Sequence, residues 1–258
     1  MSDYRFIQTE VDGRVGIVWL NRPDVLNALN RTMVHEILEV FEEYDRNDDI
    51  RVIFLGGKGR AFAAGADIDE MSEDDSISME LLNQFADWDR LSLVKKPVIG
   101  AVHGFCLGGG FELALVCDLL FAAEDTKFAF PEINLAVMPG AGGTQRLTKL
   151  IGKTKALEWI WGGDMHPAEE AHELGIVNKL YPKENLIEEA LAYAKELAEK
   201  PPLAVRLIKE AVNKAVDYPL QEGMFFERKN FYLLFSSEDQ KEGMKAFIEK
   251  RKPDFKGR

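Results

Sequence analysis

Apolar and polar positions along the chain divide it into strand-like and helix-like stretches. Tyr4 to Gln8 and Val15 to Leu20 are short runs of aromatic and β-branched residues, and Asp12-Gly13 between them signals a hairpin. Asn21-Arg22-Pro23-Asp24 breaks the second run. From Asn30 onward, Met33, Ile37, Val40, Phe41 and Tyr44 share one face at helical spacing, which predicts an amphipathic helix. Val52 to Leu55, closed by Gly56-Gly57, reads as a buried strand, and Val98 to Val102, introduced by Pro97, as another. Gly108-Gly109-Gly110 opens a short helix extending through Cys117, after which Leu119 to Ala122 returns as a strand. Such alternation predicts an α/β architecture with crossover connections.

Beyond Tyr181-Pro182 the pattern turns helical. Leu186 to Lys200 is one helix and Leu203 to Val216 a second, led by Pro201-Pro202 in first-turn positions. Pro219 introduces a third, and Ser237 with Gln240 predicts a capping box for a fourth. The expected organisation is an α/β core over residues 1–200, holding the active site, and a helical region over 201–258, with no flexible linker between them.

Composition narrows the function classes. The chain has 258 residues, 46% hydrophobic and 29% charged, which describes a globular protein able to bury its own core. The most apolar stretch, Phe111 to Ala123, is interrupted by Glu112 and Asp118 and is too short to span a bilayer. Thirty-two Lys and Arg against 44 Asp and Glu give a net charge of −12, which weighs against bulk nucleic-acid binding. The charge is uneven, however. Lys245, Lys250, Arg251, Lys252, Lys256 and Arg258 stand against only Glu249 and Asp254 near the end of the chain, where a single phosphorylated ligand could dock. Cys106 and Cys117 form no CxxC pair and are expected to be buried free thiols. Met1-Ser2-Asp3-Tyr4-Arg5 carries charges where a signal peptide needs an apolar run, so a cytoplasmic location is expected.

Several motifs fail on spacing. Ile151-Gly152-Lys153-Thr154 ends like a P-loop, but Leu147 stands where its first glycine belongs. Gly140-Ala141-Gly142-Gly143 begins like a dinucleotide fingerprint and fails at Gln145. The acidic run Asp67, Asp69, Glu70, Glu73, Asp74, Asp75 lacks the ligand ladder of a calcium loop and is expected to be a solvated loop. His35, His103, His166 and His172 show no zinc spacing, and no metal site is expected. His103, at a strand end, reads as a packed or capping residue.

Three segments remain. Ala61 to Ile68 is a small-residue loop after a buried strand, Gly104 to Glu112 a glycine loop entering a helix, and Phe130-Pro131-Glu132-Ile133 precedes Met138 to Thr144. Small residues let a ligand approach backbone N–H groups, and a helix start leaves such groups unpaired. Two aimed at one oxygen make an oxyanion hole, and two nearby carboxylates can divide acid and base work. Taken singly, Glu112 is favoured by a helix dipole, Glu132 suits a loop ion pair, and the glycines suit tight turns. The combination is far more specific.

These segments resemble the enoyl-CoA hydratase (crotonase) family. The likeness runs from Asn21-Arg22-Pro23 and Leu26 to Leu29 through Ala61 to Ile68, Lys96 to Ile99, Leu107 to Glu112 and Cys117-Asp118. It continues through Pro131-Glu132, Pro139 to Leu147, Lys241 to Met244 and Phe247 to Lys252. The resemblance implies a spiral of ββα units with a C-terminal helical trimerisation region, assembled as trimers or hexamers. It also implies hydration of a trans-2-enoyl-CoA, expected to be short-chain, to a 3-hydroxyacyl-CoA, as in fatty acid β-oxidation or related acyl-CoA degradation. Under it, the Ala66 and Gly109 N–H groups hold the thioester oxygen, Glu112 is the base toward water and Glu132 delivers the proton. The Gly140 N–H positions the water, while Ala64, Asp67 and Ile68 contact CoA. Phe247 and Lys250 reach its adenine and 3′-phosphate. No cofactor is implied, CoA being part of the substrate. Carboxylates at both the Glu112 and Glu132 positions favour hydration over the alternative, double-bond isomerisation. A specialised acyl-CoA hydratase and a non-catalytic RNA-binding relative are the other readings. Phe130 departs from the family pattern and is expected to reshape the acyl pocket. Ala136 stands where glycine is frequent, and His103 where asparagine is common.

Overall fold

The computed structural model describes residues 4–258, so Met1, Ser2 and Asp3 of the N-terminal stretch lie outside it. The chain opens with an antiparallel hairpin, β1 (Ile7–Asp12) and β2 (Val15–Leu20), turning at Gly13 with φ +62. β1 lies further along than the apolar run at Tyr4 to Gln8 suggests. It is an edge strand of which only Ile7 is buried, so its backbone pairing, not apolar content, defines it. α1 (Arg31–Arg46) starts at Asn30, whose side chain accepts from the Met33 N–H. It buries the expected face, with Met33, Ile37 and Phe41 wholly covered.

β3 (Val52–Gly57) adds parallel to β2, and α2 (Ile68–Met71), α3 (Ser76–Leu82) and α4 (Ala86–Leu91) follow. The acidic run is therefore only partly a solvated loop, a correction to the expectation. Asp75 caps α3 by accepting from the Ile77 and Ser78 N–H groups, Asp74 pairs with Arg31, and Glu70 accepts from the Arg31 N–H at 2.8 Å. Caps and ion pairs give these acidic side chains specific work in ordering the segment.

Next come β4 (Val98–Val102), β5 (Phe105–Leu107), α5 (Gly109–Ala114), β6 (Leu119–Ala123) and β7 (Lys127–Ala129). α5 ends before Cys117 because the chain tightens there, the Val116 and Cys117 N–H groups bonding back three residues. A short 3-10 turn, Pro131–Leu135, leads to α6 (Gly143–Gly162), interrupted at Gly152 with φ +79. β8 (His166–Pro167), α7 (Ala168–Glu173), β9 (Lys179–Tyr181) and α8 (Leu186–Ala198) complete the core.

The larger sheet has the order β1-β2-β3-β4-β6-β9 and the smaller β5-β7-β8. From β4 to β7 consecutive strands alternate between them, with β4 and β6 in one and β5 and β7 in the other, and β9 returns to the larger sheet, so the chain winds as a spiral of ββα units. The central strands are covered on both faces, which is why they read as continuous apolar runs. One face meets α8 through Ala190, Ala194 and Ala198, and the other packs on α1, α5 and α6.

The chain ends in α9 (Pro202–Asp217), α10 (Leu220–Leu234) and α11 (Glu238–Glu249). Ser237 caps α11 by accepting from the Gln240 N–H at 3.1 Å, but the Gln240 side chain turns to Met244, so only half of the expected capping box forms. α9 and α10 bury no residue, and α9 is fastened by Lys209, which donates to Asp118 at 2.6 Å and to the Lys96 carbonyl at 2.9 Å. Among the described residues no helix is long and apolar enough to cross a membrane.

α5 approaches the segment after β3 closely at Gly110, where an added methyl carbon would lie 2.5 Å from the Ala63 carbonyl oxygen. We expect Gly110→Ala to destabilise the fold by about 1–3 kcal/mol through overpacking, read as a lower denaturant midpoint. An unchanged midpoint would show that α5 can shift without cost.

Candidate active site

Beyond β3 the chain runs as a small-residue segment whose backbone is pinned on both sides. The Ala64 N–H donates to the Leu26 carbonyl at 2.9 Å, Leu29 to Gly65 at 2.8 Å and Asp67 to Leu29 at 2.9 Å. The N–H of Ala66, in the middle, has no partner among the described residues. Asn27, wholly buried at φ +57, holds the turn that supplies these contacts. Its side-chain oxygen accepts from the Arg22 N–H at 2.7 Å, and its nitrogen donates to the carbonyls of Lys58, Ala61 and Phe62 within 3.0 Å. Sequence reasoning gave Asn27 no role of its own.

α5 begins beside this segment. Gly108, at φ +49, donates its N–H to Ala129, and Gly109 follows as the first helical residue, its own N–H also unpartnered among the described residues. A methyl on Gly109 would lie 3.5 Å from the Ala66 nitrogen, so the two free donors are neighbours. Such a pair, at the start of a helix, favours an oxygen carrying negative charge.

Glu112 lies one turn further and is buried. Its Oε1 accepts from the Ala141 N–H at 2.8 Å and the Gly143 N–H at 2.7 Å. Burial pushes its pKa above the usual carboxylate value, while those two donors and the nearby Arg146 pull it back. Glu132 sits in the Pro131–Leu135 turn, with Oε1 2.9 Å from where a side chain on Gly108 would start. Its Oε2 is buried with no partner. Burial pushes this carboxyl up to about 7, its own backbone N–H pulling it partly back and the Glu112 charge adding to the rise. Two carboxyls thus face one space in unlike surroundings, one held by peptide N–H groups from another segment and the other with one oxygen bare.

That space is a cavity of about 1000 Å³ into which Ala64, Ala66, Ile68, Gly109, Glu112, Glu132 and Gly140 all open. Its further wall is apolar: Met71, Met79, Leu82 and Phe85 come from α2 to α4, and Leu135 and Met138 from the segment after Glu132. None of these six was expected from the sequence, though methionine and leucine spaced along an otherwise acidic stretch were a legible sign. At one end stand Arg31, engaged by Asp74 and Gln84, and His35, whose Nδ1 lies 2.9 Å from Asp87.

Other expected residues lie elsewhere. Asp67 does not line the cavity, and its carboxylate pairs with Arg22 at 3.0 Å. Phe247 is 86% exposed on α11, Lys250 ends that helix at φ +54, and neither joins the cavity wall. Phe130 does not reshape the pocket. It follows β7 directly and is wholly buried, stacked on Phe111 at 4.7 Å between ring centres, so its ring belongs to the aromatic core and not to the cavity lining. Ala136 adopts φ +58, a left-handed conformation that glycine would take at less cost. His103 is packed, its Nε2 3.1 Å from the Gly59 carbonyl, and burial lowers its pKa.

Residues 10–258 match the family model described as enoyl-CoA hydratase/isomerase. A probable enoyl-CoA hydratase of Mycobacterium bovis is 47% identical over 252 residues, covering 98% of each chain. One of Rhizobium meliloti is 45% identical over 255 residues, covering 99% of each. The crystal structure of an enoyl-CoA hydratase subunit I from Geobacillus kaustophilus superposes with a TM-score of 0.98 at 65% identity, covering all of both chains.

The bare Glu132 carboxyl has a stability consequence. Its folded pKa of about 7 lies above the unfolded value, so the folded state holds a proton that the unfolded state releases between those two values. The site is therefore a burden that grows with pH over that window and then levels off. We expect Glu132→Gln to stabilise the fold near pH 8 by about 1–2 kcal/mol, allowing for partial solvent screening, and by almost nothing near pH 4. Denaturant midpoints at both pH values measure this, and an equal gain at each would contradict it.

Proposed function

The chain belongs to the enoyl-CoA hydratase/isomerase family, and within it we propose that the protein adds water across the double bond of a trans-2-enoyl-CoA, giving the 3-hydroxyacyl-CoA. The observation carrying this reading is the pair of unlike carboxyls opening on the same cavity as two unpartnered N–H donors. The fold is the crotonase-like spiral of its structural neighbours.

In this reading the thioester oxygen accepts from the Ala66 and Gly109 N–H groups. Negative charge gathers on that oxygen as the nucleophile adds to C3, and each donor stabilises it by about 3 kcal/mol or more. Glu112, whose anion its two peptide donors favour against burial, takes a proton from water as the oxygen attacks C3. Glu132, protonated because it is desolvated, gives its proton to C2. The Gly140 N–H orients the water. The elements of water are then complete on the product, with Glu112 protonated and Glu132 ionised until a proton returns. The scheme draws on no metal or redox cofactor.

The apolar wall supports an unsubstituted hydrocarbon acyl group, short-chain substrates included. Its Arg31 guanidinium is already taken up by Asp74 and Gln84. A terminal carboxylate would therefore be buried without a free cation. We assign the CoA end to Ala64 and Ile68, with Phe247 and Lys250 at the adenine and 3′-phosphate, a placing that the basic end of the chain supports. The exposed Ile208, Val212, Leu220, Phe231 and Tyr232 of α9 and α10 support a homo-oligomer, a trimer or pair of trimers.

Crotonyl-CoA should lose its enoyl-thioester absorbance on addition of enzyme, with a product heavier by one water. Glu112→Gln and Glu132→Gln should each lower kcat by about 10²–10⁴-fold. No hydrated product would refute the hydratase reading, and a product of unchanged mass with a moved double bond would make the protein an isomerase. In a substrate panel, an enoyl-CoA ending in a carboxylate should show kcat/KM at least about tenfold below its hydrocarbon counterpart. Equal values would contradict the apolar assignment of the wall.

A further inference from the structure

Glu112 owes its two peptide donors to a loop that has little regular structure of its own. The segment from Pro139 to Gly142 leads into α6 at Gly143, and Gly142 takes φ +105. Arg146, on the first turn of α6, folds back over this loop. Its Nη1 donates to the Ala141 carbonyl at 2.7 Å, so one peptide residue is gripped on both sides: its N–H by Glu112, its C=O by Arg146. The same Nη1 lies against Gly142, where any Cβ would collide with it. The other end of the guanidinium donates from Nη2 to Ser92 Oγ at 2.6 Å, and Ser92 is the residue that follows Leu91 and caps the end of α4. At the opposite end of α4, the Phe85 ring packs on Gly140, 2.8 Å from where a Cβ there would stand. The helix that walls the cavity is thus clamped at both ends to the loop that holds Glu112.

We propose that Arg146 is a positioning residue for the hydration reaction. It fixes the Ala141–Gly143 peptides so that they hold Glu112 as an anion, and it ties that loop to α4 and the acyl wall. The inference rests on the reading of Glu112 as the base.

Two separate effects follow from one side chain. The first is geometric: without the bond to the Ala141 carbonyl, the Ala141–Gly142 peptide can rotate, and the Ala141 and Gly143 N–H groups on either side of it lose their aim at Glu112. The second is electrostatic. Among the groups facing this pair, Glu132 and Asp89 are acidic, and Arg146 is the cation acting on Glu112. Burial pushes Arg146 downward from its usual value and the two carboxylates Glu112 and Asp89 oppose that, so a guanidinium remains charged throughout the working range.

The test compares Arg146→Gln, Arg146→Lys and Ser92→Ala by kcat and KM for crotonyl-CoA across pH, with carboxyl-carbon NMR titration of Glu112 in the same proteins. For Arg146→Gln we expect kcat to fall by about ten- to a hundredfold with KM little changed, and the acidic limb of the profile to move to higher pH. Arg146→Lys, which keeps the charge but not the fork, should leave that limb near its original position and recover part of kcat. Ser92→Ala should lower kcat by a few fold with the limb unmoved, since the charge stays in place. A merely structural arginine would lower the melting temperature in all three and move no limb. That outcome overturns the proposal, as does an Arg146→Gln protein of undiminished kcat. Should Arg146→Gln fail to fold, the limb and kcat of Arg146→Lys and Ser92→Ala decide it, and equality of both with the parent refutes it. If the parent enzyme hydrates nothing, the proposed function falls. An unmoved Glu112 titration in Arg146→Gln overturns the present inference separately.

Discussion

A buried carboxylate held by peptide N–H groups from a distant stretch of chain is the constraint around which this protein is arranged. Glu112 is 4% exposed and would be expensive to ionise alone. Its Oε1 meets the N–H groups of Ala141 and Gly143, about thirty residues away in sequence, and Arg146 stands behind them. To deliver those donors, α5 must begin beside the Ala64–Asp67 segment while α6 begins next to Glu112. The spiral meets both conditions, because each turn returns a strand to the larger sheet and leaves the next loop on the same side.

The same arrangement sets the two carboxyls apart. Glu132 has a bare buried oxygen where Glu112 has two donors, so it takes a proton that Glu112 releases more readily. A protein selected only for stability would not keep an unpartnered carboxyl beside another acid. Its presence in a cavity next to two free N–H groups is the strongest structural mark of catalysis in the molecule.

The central strands and α1 were legible because parallel strands buried on both faces and an amphipathic helix leave strong local patterns. β1 was misplaced because an exposed edge strand has no such pattern, and the acidic stretch was misread because caps such as Asp75 act through geometry that composition does not carry. At the site, Glu112, Glu132, Ala66 and Gly109 were named from small-residue loops and a family likeness, and all four open on one cavity. Phe130 was misassigned because its ring stacks on Phe111, a packing partner nineteen residues away that its own sequence neighbourhood does not mark. Arg146 and Asn27 escaped notice because their partners are backbone carbonyls, which every residue possesses and no sequence marks. Phe247 and Lys250 lie away from the cavity of the single chain, and nothing in their local pattern tells where their partner surface is.

The division of labour between the two carboxyls is most directly tested by titrating them individually in the unmodified protein, using carboxyl-carbon NMR with Glu112→Gln and Glu132→Gln for assignment. The account predicts that Glu132 titrates near pH 7, at a higher pH than Glu112, so that near pH 6 the first carries a proton and the second is the more ionised of the two. A reversed order, or two carboxyls titrating together at the ordinary value, would contradict it.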